Sequence, residues 1–232
     1  MTTARQIRKL VRPLLERHPD LTLATSHTLW MAPLTHVGIE IWLERASMAS
    51  YFRPRWFLTP LFLPTSKPAY GAGFCCVLMG RSQQAREAGR RSWDWDDPEM
   101  PADFVSQIEE AIPLFRSLDT LNACRLFTEK QMKHPWGKDL YEQIVYDIAF
   151  GNLALARCWW QRLETEITSG DLPTEDFWRT KTLRFRSLRE PLMDDDRAAL
   201  AALLHQWERE NVTGTPVERI WQPTPFPLEQ IA

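Results

Sequence analysis

The sequence predicts an α+β fold: a small, mostly antiparallel sheet with an N-terminal helix, followed by a helical C-terminal half. Three observations carry this. Residues 37–44 alternate cleanly, with Val37, Ile39, Ile41 and Leu43 on one side and Gly38, Glu40, Trp42 and Glu44 on the other, the period of a strand. Residues 104–115 place Phe104, Ile108, Ile112 and Phe115 at spacings of four and three, the period of a helix. Finally, eleven tryptophans are spread from end to end. Each can bury roughly 150–250 Å², so together they demand a large apolar interior or a large apolar binding surface. The change of period assigns residues 1–100 to the sheet region and 101–232 to a helical region packed on it, as one compact unit.

Taken in order, the first element is an amphipathic helix. Ile7, Leu10, Val11, Leu14 and Leu15 form its apolar stripe, ringed by Arg5, Arg8, Lys9, Arg12, Glu16 and Arg17, with Pro13 a place for a kink. His18-Pro19-Asp20 stops it. Leu21, Leu23 and Thr25 alternate weakly, ahead of the 37–44 strand. Residues 51–64 are apolar but contain Pro54, Pro60 and Pro64, which predicts an irregular edge strand or an extended segment. The Gly-containing run 70–79 reads as a buried strand, so that residues 21–79 make the sheet. Residues 93–99 form a loop, and the helix from about 102 is expected to bend or break near Pro113.

Thr120 offers an N-cap to a helix over 121–130. Two further helices, 139–150 and 153–167, are separated by Gly151-Asn152, a pair suited to the left-handed backbone at a helix end, and should form a hairpin. A helix over 174–189 is expected to stop at Pro191, and the last to start at Asp194 and run to about 211, with Gly214 beyond it. The tail from Thr215 holds four prolines and is extended. Its Trp221, Phe226 and Leu228 argue that it lies against the body.

Composition excludes several classes. Hydrophobic residues at 44% and charged residues at 25% are those of a globular chain, and no run of about 18 apolar residues suggests a membrane span. A formal net charge of −2 gives no global attraction to nucleic acid or anionic lipid. Cys75, Cys76, Cys124 and Cys158 show no C-x-x-C spacing, and the adjacent pair sits in an apolar run, as small buried hydrophobes do. This indicates a reducing, cytoplasmic setting.

Chemistry-bearing motifs are weak. Gly71-Ala72-Gly73 imitates the start of a dinucleotide fingerprint, but Cys76 stands where the third glycine belongs, and no cofactor is expected. His27, His36 and Glu40 would converge only if their strands pair, and His205 with Glu208 lies at i, i+3; neither has the spacing of a recognised metal motif, and no metal is expected. Trp93, Asp94, Trp95, Asp96 and Asp97 place carboxylates beside two indoles. They could form an acidic, aromatic-walled contact surface, or a turn of helix-initiating acids anchored by tryptophan. Residues 177–189 interleave five cations with three aromatics. Trp178, Phe185 and Leu188 share one stripe, however, so this reads as a solvated helix face rather than a nucleic-acid reader.

The order of the N-terminal helix (Ala4 to Arg17), Leu29-Trp30, the strand Gly38-Ile39-Glu40-Ile41-Trp42, Trp93-Asp94 and the helix from Ile108 to Leu118 resembles a bacterial family called domain of unknown function 4304. The resemblance covers about the first half of the chain. It implies a small cytoplasmic α+β protein and supplies no functional residue. Separately, Tyr141, Ala149, Gly151 and Ala156 are similar to one tetratricopeptide-like hairpin, which implies a docking role at most.

With no catalytic motif and an excess of tryptophan, the sequence points first to a cytoplasmic protein-interaction protein, an adaptor or a partner-neutralising, immunity-like one, anchored by the Trp93–Asp97 segment. The alternative is an enzyme or small-molecule binder with an aromatic-lined pocket assembled from distant residues, whose polar candidates are His27, His36, Glu40 and Asp97.

Overall fold

The computed structural model describes residues 2–64, 75–131, 140–168 and 184–230, without the side chains of 75–78, 131, 167 and 168. The Gly71-Ala72-Gly73 motif, Trp136, Trp178 and most of the 177–189 segment lie outside the described residues. The fold is α+β, as the two periods predict. The period changes near residue 100, whereas compactness divides the chain elsewhere. One unit comprises Met1–Thr59, Tyr70–Cys124 and Pro216–Gln222, and the other Pro60–Ala69, Arg125–Thr215 and Pro223–Ala232.

The first unit holds the sheet. Helix α1 (Ala4–Arg17) opens with a capping box in which the Gln6 N–H donates to Thr3 Oγ1 and the Thr3 N–H to Gln6 Oε1, and it runs through Pro13. Strands β1 (Leu21–Leu23), β2 (Thr28–Met31), β3 (Val37–Arg45), β4 (Tyr51–Pro60) and β5 (Cys75–Leu78) follow in sheet order as an antiparallel meander. Ile39, Ile41 and Leu43 are buried on one face of β3, as the alternation requires. The other face is buried too at Gly38 and Glu40, because Trp30 lies over it: a Cβ on Gly38 would meet the Trp30 ring at 2.3 Å.

Two expectations for the sheet are corrected. Strand β4 is not an edge: it lies between β3 and β5 and is ten residues long despite Pro54. Pro54 stands opposite Met79, whose N–H donates to the Pro54 carbonyl at 3.0 Å. Proline cannot return that bond. The Trp93 indole donates to the Met79 carbonyl instead, at 2.8 Å. The second correction follows from the same place: Trp93–Asp94 is not loop but a short strand, β6, paired with Phe52 and Tyr51 of β4. Helix α2 (Gln83–Glu87) lies between β5 and β6.

Helix α3 (Met100–Ser117) is continuous through Pro113 rather than broken there, and it buries Phe104, Ile108, Ile112 and Phe115. Phe115 meets Trp56 edge-on at 5.2 Å, and Phe104 meets Trp93 at 5.6 Å. A turn at Glu218–Ile220 joins this unit through a parallel bridge between Trp221 and Leu34. Helix α4 (Leu121–Gln131) starts as expected, with Thr120 Oγ1 accepting from the Ala123 N–H, and passes from the first unit to the second.

The second unit is helical. Helices α5 (Leu140–Ala149) and α6 (Leu153–Thr168) form the expected hairpin. Gly151 has φ 78°, and its N–H and that of Asn152 return to the Ile148 and Asp147 carbonyls at 2.8 Å each, a Schellman closure. Phe185 stacks on Trp160 with centroids 4.9 Å apart. Of the helix expected over 174–189, only its end lies within the described residues, helical over 184–186 and followed by a turn at 187–188. Pro191 itself occupies the first turn of the next helix, α7 (Arg189–Met193), where a missing N–H leaves no bond unmade. Helix α8 (Arg197–Val212) is capped by Asp196 rather than Asp194, since Asp195 takes the left-handed conformation at φ 56°. Its Asn211 amide donates to the Leu61 and Leu63 carbonyls. Below it, Phe226 and Leu228 of the tail are buried.

Candidate functional site

The Trp-Asp segment splits by burial. Trp93 is a core residue, packed on Phe52 and Phe104. Trp95 is two residues on and therefore on the same side, where its ring lies 4.7 Å from Phe52, but it stays partly exposed. Its indole N–H donates to Thr2 Oγ1 at 2.9 Å, and its backbone N–H to Ser50. Asp94 accepts from the Asp96 N–H and Asp97 from the Glu99 N–H, the hydrogen bonds of successive Asx turns.

The centre of this segment is a residue that the sequence did not mark. Arg81 is buried, its guanidinium 5.0 Å from the Trp93 ring centre. It donates to Asp103, to the Ser92 carbonyl at 2.9 Å and to Asp97 at 2.9 Å. Burial works against ionised Asp97, but hydrogen bonds from the Glu99 N–H and Arg81 outweigh it and hold the carboxyl below its usual range. The same balance, with Ser82 added, lowers Asp103. Nothing in the spacing around Gly80-Arg81-Ser82 announces this, since its three acceptors lie 11 to 22 residues away.

Of the alternative pocket residues, His36 and Glu40 are both buried, and His27 is placed away from them. His27 stands opposite Leu43, about 10 Å along the strand from Glu40, and His36 immediately precedes the start of β3. Asp97 is committed to Arg81. His27 is half-buried against the Trp42 ring, and burial, helped by Arg45, lowers its pKa. Among the described residues no group of three or more His, Cys, Asp or Glu could hold a metal ion.

What the structure does form beside Trp95 is a groove of about 470 Å³. Gln6, Lys9, Leu10 and Pro13 of α1 make one wall, and Trp95 with Met100, Pro101, Ala102 and Val105 makes the other. Seven of these nine residues are apolar, so the surface offers shape and hydrophobic area with no acid–base pair. A smaller cavity of about 180 Å³ has Val37, Ile39 and Phe115 in its lining, with the Arg116–Asp20 ion pair among its polar residues. The hydrogen bond from Arg116 keeps Asp20 below its usual pKa.

In the helical unit, two of the three described cations of the cationic segment are paired, Arg184 with Glu210 at 3.2 Å and Arg189 with Glu164 at 2.8 Å, while Arg186 is exposed. His205 lies between Glu208 at 3.7 Å and Glu229 at 2.9 Å and against the Phe226 ring. Its pKa is raised, first by the hydrogen bond to Glu208.

The class defined by this geometry is an α+β protein with an open apolar groove; among the described residues no helix is long and apolar enough to cross a membrane. No family model matches the chain, and comparison with curated proteins and with solved structures gives no significant match.

Proposed function

We propose that this chain is a protein-interaction protein of a reducing, cytoplasmic compartment, an adaptor or a partner-neutralising, immunity-like one, and that the groove between α1 and α3 is its docking surface. The observation that supports this most is Trp95. A tryptophan left partly exposed beside an open apolar groove, with its ring on Phe52 and its N–H held by Thr2, is already ordered before any partner arrives. Such rigid aromatic anchors supply binding energy without the cost of immobilising them.

A displayed peptide library tests the reading, with the native chain as bait and Ala102→Trp, which fills the groove from an exposed position, as counter-bait. Peptides that bind the native chain and lose at least tenfold on Ala102→Trp and on Trp95→Ala support it. Enrichment indifferent to both substitutions would place docking elsewhere. The second reading, a small-molecule binder, draws on the volume, which falls within the roughly 300–1,000 Å³ of ligand sites. It predicts that an apolar compound competes with those peptides.

A further inference from the structure

The faces of α1 specify the chemistry of the occupant. At about 100° per residue, three surfaces follow one another around this helix. Ile7, Leu10, Val11 and Leu14 form the buried one. Next come Gln6, Lys9 and Pro13, which with Leu10 line the groove. Beyond Lys9 lies a stripe of Arg5, Arg8, Lys9 and Arg12, all exposed and spaced three and four apart, so that they are neighbours on the helix surface. Lys9 belongs to both the groove and the stripe.

The stripe is not neutralised. Glu16 pairs with Arg12 at 2.7 Å, but among the described residues Arg5, Arg8 and Lys9 have no carboxylate partner. Carboxylates near the opposite wall are otherwise engaged or belong to that wall. Asp97 and Asp103 bind Arg81, Glu109 binds Arg17 and His18, and Asp94 and Asp96 flank Trp95. The groove therefore has an apolar floor, a cationic lip on α1 and acids beside Trp95.

We infer, on the reading of the groove as a docking surface, that its occupant is an acidic amphipathic helix: apolar side chains enter between α1 and α3, and Asp or Glu residues along one flank pair with Arg5, Arg8 and Lys9. Charge complementarity selects this partner over a basic or neutral one and accelerates encounter at low salt. A lipid surface is the poorer match. The apolar face of α1 is buried within the fold, so a bilayer would meet only the cations, whereas a helical peptide satisfies the groove and the stripe together.

The test uses two dye-labelled, Ala-based helical peptides of about sixteen residues, long enough to be helical in water. Both carry Leu at i, i+3, i+4 and i+7; one is flanked by Glu and the other by Lys. Anisotropy titrations on the full chain in about 0.05 M salt should show the Glu peptide binding about tenfold more tightly, the order of effect of three exposed ion pairs. The difference should shrink at about 0.5 M salt as screening shortens the range of the charges. Arg5→Glu with Arg8→Glu should reverse the preference while circular dichroism stays native, because both positions are exposed and outside the groove lining.

Equal binding of the two peptides, both lost on Ala102→Trp, would overturn the charge inference and leave the groove reading standing. Binding of neither peptide would overturn both. Tighter binding to phosphatidylserine vesicles or to duplex DNA than to the Glu peptide, abolished by the double reversal, would also overturn the inference, with the stripe then serving an anionic surface or polymer.

Discussion

Arg81 is where the sheet unit concentrates its electrostatic risk. Its side chain is inaccessible, and the two carboxylates it holds are about nine-tenths buried. Removing one partner of such a cluster leaves charge stranded in a poor solvent, typically costing about 3–5 kcal/mol. Arg81→Met should therefore lower stability by about 3 kcal/mol in urea unfolding, while Arg86→Met at a neighbouring position should change it by less than about 0.5 kcal/mol. A similarly small loss at Arg81 would mean that water reaches Asp97 and Asp103. Gly38 is sensitive for a steric reason. Backbone freedom is not the issue: a methyl group there would overlap the Trp30 ring and approach Leu34 to 2.7 Å. Gly38→Ala should cost about 1–3 kcal/mol by overpacking.

At the scale of elements, β4 tolerates Pro54 because a side chain from β6 completes its ladder. This is open to a double-mutant cycle. Trp93→Phe keeps most of the ring but deprives the Met79 carbonyl of its indole donor, which should cost about 1–3 kcal/mol. Pro54→Val restores a backbone N–H opposite that carbonyl. The two substitutions together should therefore cost less than the sum of each alone, by about 0.5 kcal/mol or more. Strict additivity would show that the indole and the proline are unrelated. The α5–α6 hairpin depends on one residue in the same way. Gly151 is held at a positive φ by the helix closure, so Gly151→Val should destabilise by about 1 kcal/mol or more. An unchanged melting curve would count against the strain.

For the whole molecule, charge sets opposite limits on the pH range of stability. Asp20, Asp97 and Asp103 have lowered pKa values in the folded state. Their stabilisation is present above the unfolded value of about 3.9 and is lost as pH falls through the folded ones. Asp147, buried with Asn152 and Trp159 as donors, is raised by burial and acts in the opposite sense, favouring the fold when protonated. His205 is raised as well, by Glu208 and then Glu229. Its contribution is complete below about pH 6.5 and disappears as pH rises through its folded value. His27, lowered by burial, opposes His205 in the same range, so urea midpoints of the His27→Gln variant measured from pH 3 to 9 should be highest between about pH 4 and 6.5. His205→Gln should flatten the alkaline limb and leave the acid limb intact; an unaltered alkaline limb would exclude His205 as its source.

Local pattern by itself determined the α+β class, the buried face of β3, the amphipathic α1, the core stripe of α3 and the turn at Gly151. Each is written within a few residues, as a period of two, a period of 3.6 or a residue suited to positive φ. Read in the same local terms, Pro54 argued for an edge strand or an extended segment and Pro191 for a stop. Tertiary structure decided otherwise: a donor from β6 replaces the one Pro54 lacks, and a first turn excuses Pro191. The candidate site was legible only in part. Trp95 and the α1 cations were visible in the sequence, but not that Trp93 would be core, that His27 and His36 would lie at opposite ends of one strand, or that Arg81 would bind the acids. Those outcomes depend on which strands and helices become neighbours, and the groove exists only because α1 and the start of α3, some 90 residues apart in the chain, form its two walls.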